Sequence, residues 1–205
     1  MSQQSPIDII PTIAKEVDNH VDFTVGCDCG EIEHGGSNFK VHWKGGNNSA
    51  LVLKDVTYYP IQFHFHTPSE HTIEGKAYPF CMHLVHQSED GKLAVVAFFF
   101  EEGDESKFLA QVWEHLSEIE PHGPRVLVDD ISFDSLDVNA ESYFRYTGSL
   151  TTPPYTEGVE WVIVKDPRQV SPEQIAEFIK VIPGDTNARD LQPVVSGKLL
   201  FCCEN

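Results

Sequence analysis

The sequence predicts a mainly β (α+β) protein, one domain over residues 1–205, built on a large sheet with a few surface helices. Three observations predict it. Short runs rich in Val, Ile and Phe recur between Gly, Asn, Asp and Pro, only two segments carry helical periodicity, and no repeat, long linker or charge block divides the chain.

The strand-like runs are Phe39–Trp43, Ala50–Leu53, Ile61–His66, Phe80–His86, Leu93–Phe100 and Val159–Val164. GGNNS at 45–49 and SEDGK at 88–92 are turn signals between such runs. A first helix is expected over Lys107–Ile119, where Phe108, Leu109, Val112, Trp113, Leu116 and Ile119 recur at helical spacing behind Asp104 and Glu105. A second opens on SPEQ, with Ser171 as N-cap, Pro172 at the first helical position and Gln174 closing a capping box. Ile175, Phe178, Ile179 and Ile182 line its apolar face, and Pro183-Gly184 stops it.

Charge narrows the partners. Asp and Glu number 32 against 14 Lys and Arg, a net charge of −18. Such a surface repels phosphate backbones and anionic lipid, so no nucleic-acid partner is expected. The longest apolar run, Leu93–Phe100, falls far short of the ~20 residues a spanning helix needs, so no membrane insertion is expected. The five cysteines, an odd count, have no zinc-ribbon spacing and leave the redox compartment open. Met1 leads into SQQSPIDII without the basic and apolar regions of a signal peptide, so the expectation is cytoplasmic if Met1 is the native start.

The chemistry concentrates in residues 61–87. On a strand, Gln62, His64 and His66 share one face while Phe63 and Phe65 take the other. Phe80–His86, paired antiparallel, offers Cys81, His83 and Val85 on one face. His64, His66 and His83 can then converge on one ion and leave a fourth position open, as catalytic zinc requires. Of the ten histidines, His20, His34, His42, His115 and His122 read as hydrogen-bonded core or surface residues. YTGSLTTPPYTEGVEWVIV, residues 146–164, reads by spacing alone as a rigid turn leading into a strand that carries Trp161.

QSPIDI (4–9), QFHFH (62–66), SEHT (69–72), MHLVH (82–86), LAVV (93–96), YTGSLTTPP (146–154) with Trp161, and NARDLQP (187–193) follow one another from Gln4 to Pro193. Together they resemble an α-class carbonic anhydrase. The resemblance implies a mostly antiparallel twisted sheet of about ten strands, one zinc per chain, and reversible hydration of carbon dioxide to bicarbonate and a proton by zinc-bound hydroxide. It places the zinc on His64, His66 and His83. Gln62 would orient His64, and the Asn187 carbonyl would support His66. Thr151 would accept a hydrogen bond from the hydroxide and donate one to a buried Glu70. Thr152 would stand beside substrate and bicarbonate, and Val85, Val95, Leu150 and Trp161 would form the apolar pocket for carbon dioxide. Tyr146 and His71 would belong to a supporting hydrogen-bond network, with Arg189 structural.

The sequence departs from that pattern in several places. Ser37 stands where the family carries a proton-shuttling His, which makes His34, three residues earlier, the shuttle candidate. Cys81 replaces the carboxylate that faces the third ligand, and is expected to be a neutral thiol. Tyr155 occupies the position from which secreted relatives form a disulfide. The chain begins at QSPIDI, so the aromatic N-terminal segment common in the family, with its cavity Tyr, is expected to be absent. Relatives outside animals are often exported, which leans localisation towards the extracellular or periplasmic side. The alternative to catalysis is an impaired relative kept for zinc binding or structure. Such relatives lose ligating histidines, and this chain keeps all three.

Overall fold

The structure, a computed structural model, describes residues 3–17, 21–45, 48–136, 138, 142–194 and 198–203, with Cys203 described for its backbone alone. His20, and Gly46 and Asn47 of the GGNNS turn, lie outside the described residues.

In chain order the first strands are β1 (Asp8–Ile9), β2 (Lys15–Glu16), β3 (Asp22–Thr24), β4 (Asp28–His34) and β5 (Phe39–Trp43). Next come β6 (Ala50–Leu53), β7 (Val56–His66), β8 (Thr72–Ile73), β9 (Phe80–Ser88) and β10 (Leu93–Glu102). The last are β11 (Val126–Ile131), β12 (Ser142–Ser149), β13 (Glu157–Val164), β14 (Arg168–Val170) and β15 (Leu200–Cys203). Two α-helices, α1 (Lys107–Trp113) and α2 (Pro172–Val181), accompany them. No helix among the described residues is long and apolar enough to cross a membrane.

One large sheet runs β11-β4-β5-β7-β9-β10-β13-β12-β15-β2, with β3, β6 and β14 joined at its flanks. It is twisted and mostly antiparallel, with parallel pairs at β10–β13, β10–β14 and β15–β2. The separate pair β1–β8 is also parallel.

Strands β5 and β6 keep their predicted bounds, while β7 begins at Val56 rather than Ile61. The extra length is half of a hairpin in which Leu53 pairs with Val56 across Lys54 and Asp55. Both turn residues take positive φ, 50° and 64°, the geometry of a two-residue turn that usually advertises itself by Asn-Gly. Helix α1 ends at Trp113, short of the expected Ile119, and Leu116–Glu118 forms a 3₁₀ turn instead. Leu116 and Ile119 are still buried, because i,i+3 spacing serves a 3₁₀ turn as well as an α-helix. Helix α2 opens as predicted: Ser171 accepts from the Gln174 N–H and the reciprocal bond completes the capping box.

Alternation divides the core between the two faces of the sheet. Phe63, Phe65, Phe80 and Met82 join Phe108 and Trp113 of α1 and Phe178 of α2 in the larger cluster. Phe65 stacks on Phe80 with ring centroids 5.5 Å apart and meets Trp113 edge-on at 5.1 Å. Each such burial stabilises by about 1.5–3 kcal/mol, so β7 and β9 are anchored from behind. Val85, Val95, Phe99, Tyr146 and Trp161 form the smaller cluster on the opposite face. The imidazoles of β7 and β9 belong to that second face.

Candidate metal centre

Register brings the histidines together. His64 stands opposite His83, and His66 opposite Cys81. Nitrogens of His64, His66 and His83 lie within 4.8 Å of one another, the one group among the described residues able to hold a metal ion. His66 and His83 are buried and His64 is half-buried.

Each ring has its other nitrogen occupied. His64 Nδ1–H donates to Gln62 Oε1 at 2.9 Å, and His66 Nδ1–H donates to the Asn187 carbonyl at 3.1 Å. His83 turns Nε2 towards Cys81 Sγ at 3.8 Å. Nε2 of His64, Nε2 of His66 and Nδ1 of His83 are therefore left to face the common centre, and His66 Nε2 is buried without a hydrogen-bond partner. Burial, followed by the neighbouring imidazoles, pushes the pKa of His64 and His83 well below the histidine range. Three imidazoles with a free ring nitrogen turned to one point are the donor set of three-histidine zinc, so these residues fit that ion. Cys81 is buried too, and burial raises its thiol, which stays neutral.

Glu70 lies beside the group. Its Oε1 accepts the Arg189 backbone N–H at 2.9 Å. Its Oε2 has no hydrogen-bond partner and stands 3.5 Å from His66 Nε2 and 3.7 Å from His83 Nδ1. The expected donation from Thr151 to Glu70 is thus not made among the described residues.

In front of the histidines opens a cavity of about 200 Å³. The residues expected there, Val85, Val95, Leu150, Thr151, Thr152 and Trp161, all line it, with Gln62, His64 and His83. Ile61 and Leu93 also line it and were not anticipated. Leu93 has the parity of Val95, a signal the strand pattern offered. Ile61 has the wrong parity for this face, but the register shifts between Pro60 and Gln62, and a bulge re-aims the side chain.

Trp161 is held by its own bond, Nε1–H to the Ser149 carbonyl at 3.0 Å, and lies parallel to Tyr146 with centroids 6.3 Å apart. The Tyr146 hydroxyl meets His71 Nε2 at 2.6 Å and Ser5 Oγ at 2.7 Å, so the network expected of Tyr146 and His71 extends to the N-terminal segment. Burial lowers His71 to a pKa of about 3, so its ring is neutral. Arg189 reaches the Ser5 carbonyl at 2.6 Å and Gln4 Oε1 at 3.0 Å, tying that segment down.

His34 does not suit the shuttle role given to it. It is 4% exposed, its Nε2–H donates to the Val181 carbonyl at 2.6 Å, and its Nδ1 accepts the Gly36 N–H at 3.0 Å. Both nitrogens are committed on the helix side of the sheet.

Residues 1–197 match the family described as eukaryotic-type carbonic anhydrase, and the chain belongs to that family. The carbonic anhydrase of Pectobacterium carotovorum is 34% identical over 199 residues, covering 97% of this chain and 79% of the relative. The α-carbonic anhydrase of Thermovibrio ammonificans, solved with the inhibitor sulfanilamide, superposes with a TM-score of 0.86 at 35% identity, over 98% of this chain and 86% of that one. Dioscorin complexed with ascorbate superposes with a TM-score of 0.91 at 27% identity, over 99% and 87% of the two chains.

Proposed function

We propose that the protein is a zinc-dependent carbonic anhydrase that interconverts carbon dioxide and bicarbonate. The convergence of three imidazoles on one point, at the foot of a cavity with an apolar wall, carries this reading. His64, His66 and His83 would hold the ion, and Gln62 and the Asn187 carbonyl fix the tautomers of the first two. When bound, zinc supplies the positive charge that ionises water near neutral pH.

The remaining work falls to the chain. Carbon dioxide has no net dipole to grip, so Val85, Val95, Leu150 and Trp161 position it by shape against the histidine group. The Thr151 and Thr152 hydroxyls, at the same wall, supply the polar contacts that distinguish bicarbonate from its precursor. Glu70 keeps a carboxylate beside the histidines, fixed by the Arg189 N–H.

Stripping the protein with a chelator should abolish carbon dioxide hydration, and one equivalent of zinc should restore it. Undiminished hydration after complete removal of zinc would refute the reading.

A further inference from the structure

We propose that His42 carries the proton released by hydration from the pocket to bulk solvent, an inference that rests on the function proposed above. Phe39, Val41 and Trp43 of β5 point into the larger core, so Lys40 and His42 lie on the face that bears the histidine group. Lys40 pairs with His64 and His42 with Gln62. Directly opposed Cβ atoms lie about 5 Å apart and diagonal ones about 7–8 Å, so His42 adjoins a pocket-lining residue and stands one step from His64.

The ring is also set up to turn over. Its Nε2 meets Glu33 Oε2 at 2.6 Å, and the side chain is 24% exposed. Glu33 is held from behind by Arg125 at 2.7 Å. Glu31, opposite His42 on β4, is taken by Lys44 at 2.9 Å and by Arg125 at 3.3 Å. Lys40 stands opposite Glu33 on β4, and from β7 the residue facing His42 is the uncharged Gln62. Nδ1 of His42 has no hydrogen-bond partner among the described residues. His34, His71 and His86, by contrast, are buried.

Hydration converts carbon dioxide and water into bicarbonate and one proton. That proton passes through water to Nδ1 of His42, and the imidazolium keeps its Nε2–H on Glu33. A buffer base then removes the Nδ1 proton, and the neutral ring is restored.

The test compares native protein, His42→Ala, and the controls His115→Ala and His122→Ala, all zinc-loaded, at low and high buffer concentration. His42→Ala should lower kcat about tenfold or more at low buffer, leave kcat/KM unchanged, and recover with added imidazole. Unchanged kcat in His42→Ala at low buffer would overturn the proposal, as would an equal fall in kcat/KM or the same loss in His122→Ala. Native protein without any hydration would refute the function itself, which is a distinct result.

Discussion

Cys81 Sγ stands 3.8 Å from Nε2 of His83, at the place where the other two members of the histidine group meet an amide or carbonyl oxygen. A neutral thiol is a weak acceptor, so His83 is the least firmly oriented of the three. Cys81→Glu should therefore bind zinc about 10–100-fold more tightly, read by competition with a chelator. Phe99 opposes Cys81 on β10, and overpacking there costs about 1–3 kcal/mol, so the smaller Cys81→Asp is the companion variant. Native zinc affinity in both would mean that Cys81 only packs.

His86 supplies a pH-dependent stability term away from the cavity. Its Nδ1–H donates to the Leu84 carbonyl at 3.0 Å, its Nε2 is buried without a partner, and Phe23 meets the ring edge-on at 5.6 Å. Burial lowers its pKa from 6.5 to about 3. Above pH 6.5 the ring is neutral both folded and unfolded; below it only the unfolded chain takes the proton. Stability falls by about 1.4 kcal/mol per pH unit from pH 6.5 down towards pH 3. Between pH 6.5 and 5, His86→Leu should lose about 2 kcal/mol less stability than the native protein, measured by urea unfolding at the two pH values. Parallel losses would show that this ring is protonated in the fold.

Gly148 permits the close packing of the wall beneath Trp161. A Cβ there would collide with Ser5 Oγ, come within 2.7 Å of Tyr146 Cε2 and 3.3 Å of Trp161 Cδ1. Gly148→Ala should cost about 1–3 kcal/mol and disturb the Ser5–Tyr146–His71 chain, lowering the urea midpoint. A native midpoint would mean that the N-terminal segment yields without loss.

What could be read in the sequence was whatever strict alternation governs. The parity of Gln62, His64 and His66 against Phe63 and Phe65 is enough to separate the histidine face from the core, and SPEQ is enough to start α2. Strand β4 escaped because its inward positions are Gly30, Ile32 and His34, only one of which is a large apolar residue. Gly30 is needed because a Cβ would stand 2.6 Å from Val41 Cγ1, a close approach between strands that no local pattern announces. His34 is the hydrogen-bonded core residue the sequence suggests, and the shuttle role fails for a related reason. Its partner, the Val181 carbonyl, comes from the end of α2, far along the chain.

Zinc content and carbon dioxide hydration, measured on one preparation of the native protein and one of His83→Ala, test the central claim most directly. One zinc per native chain together with hydration is expected, and both should be lost in His83→Ala while its circular dichroism stays native. Hydration that persists in zinc-free His83→Ala would contradict it.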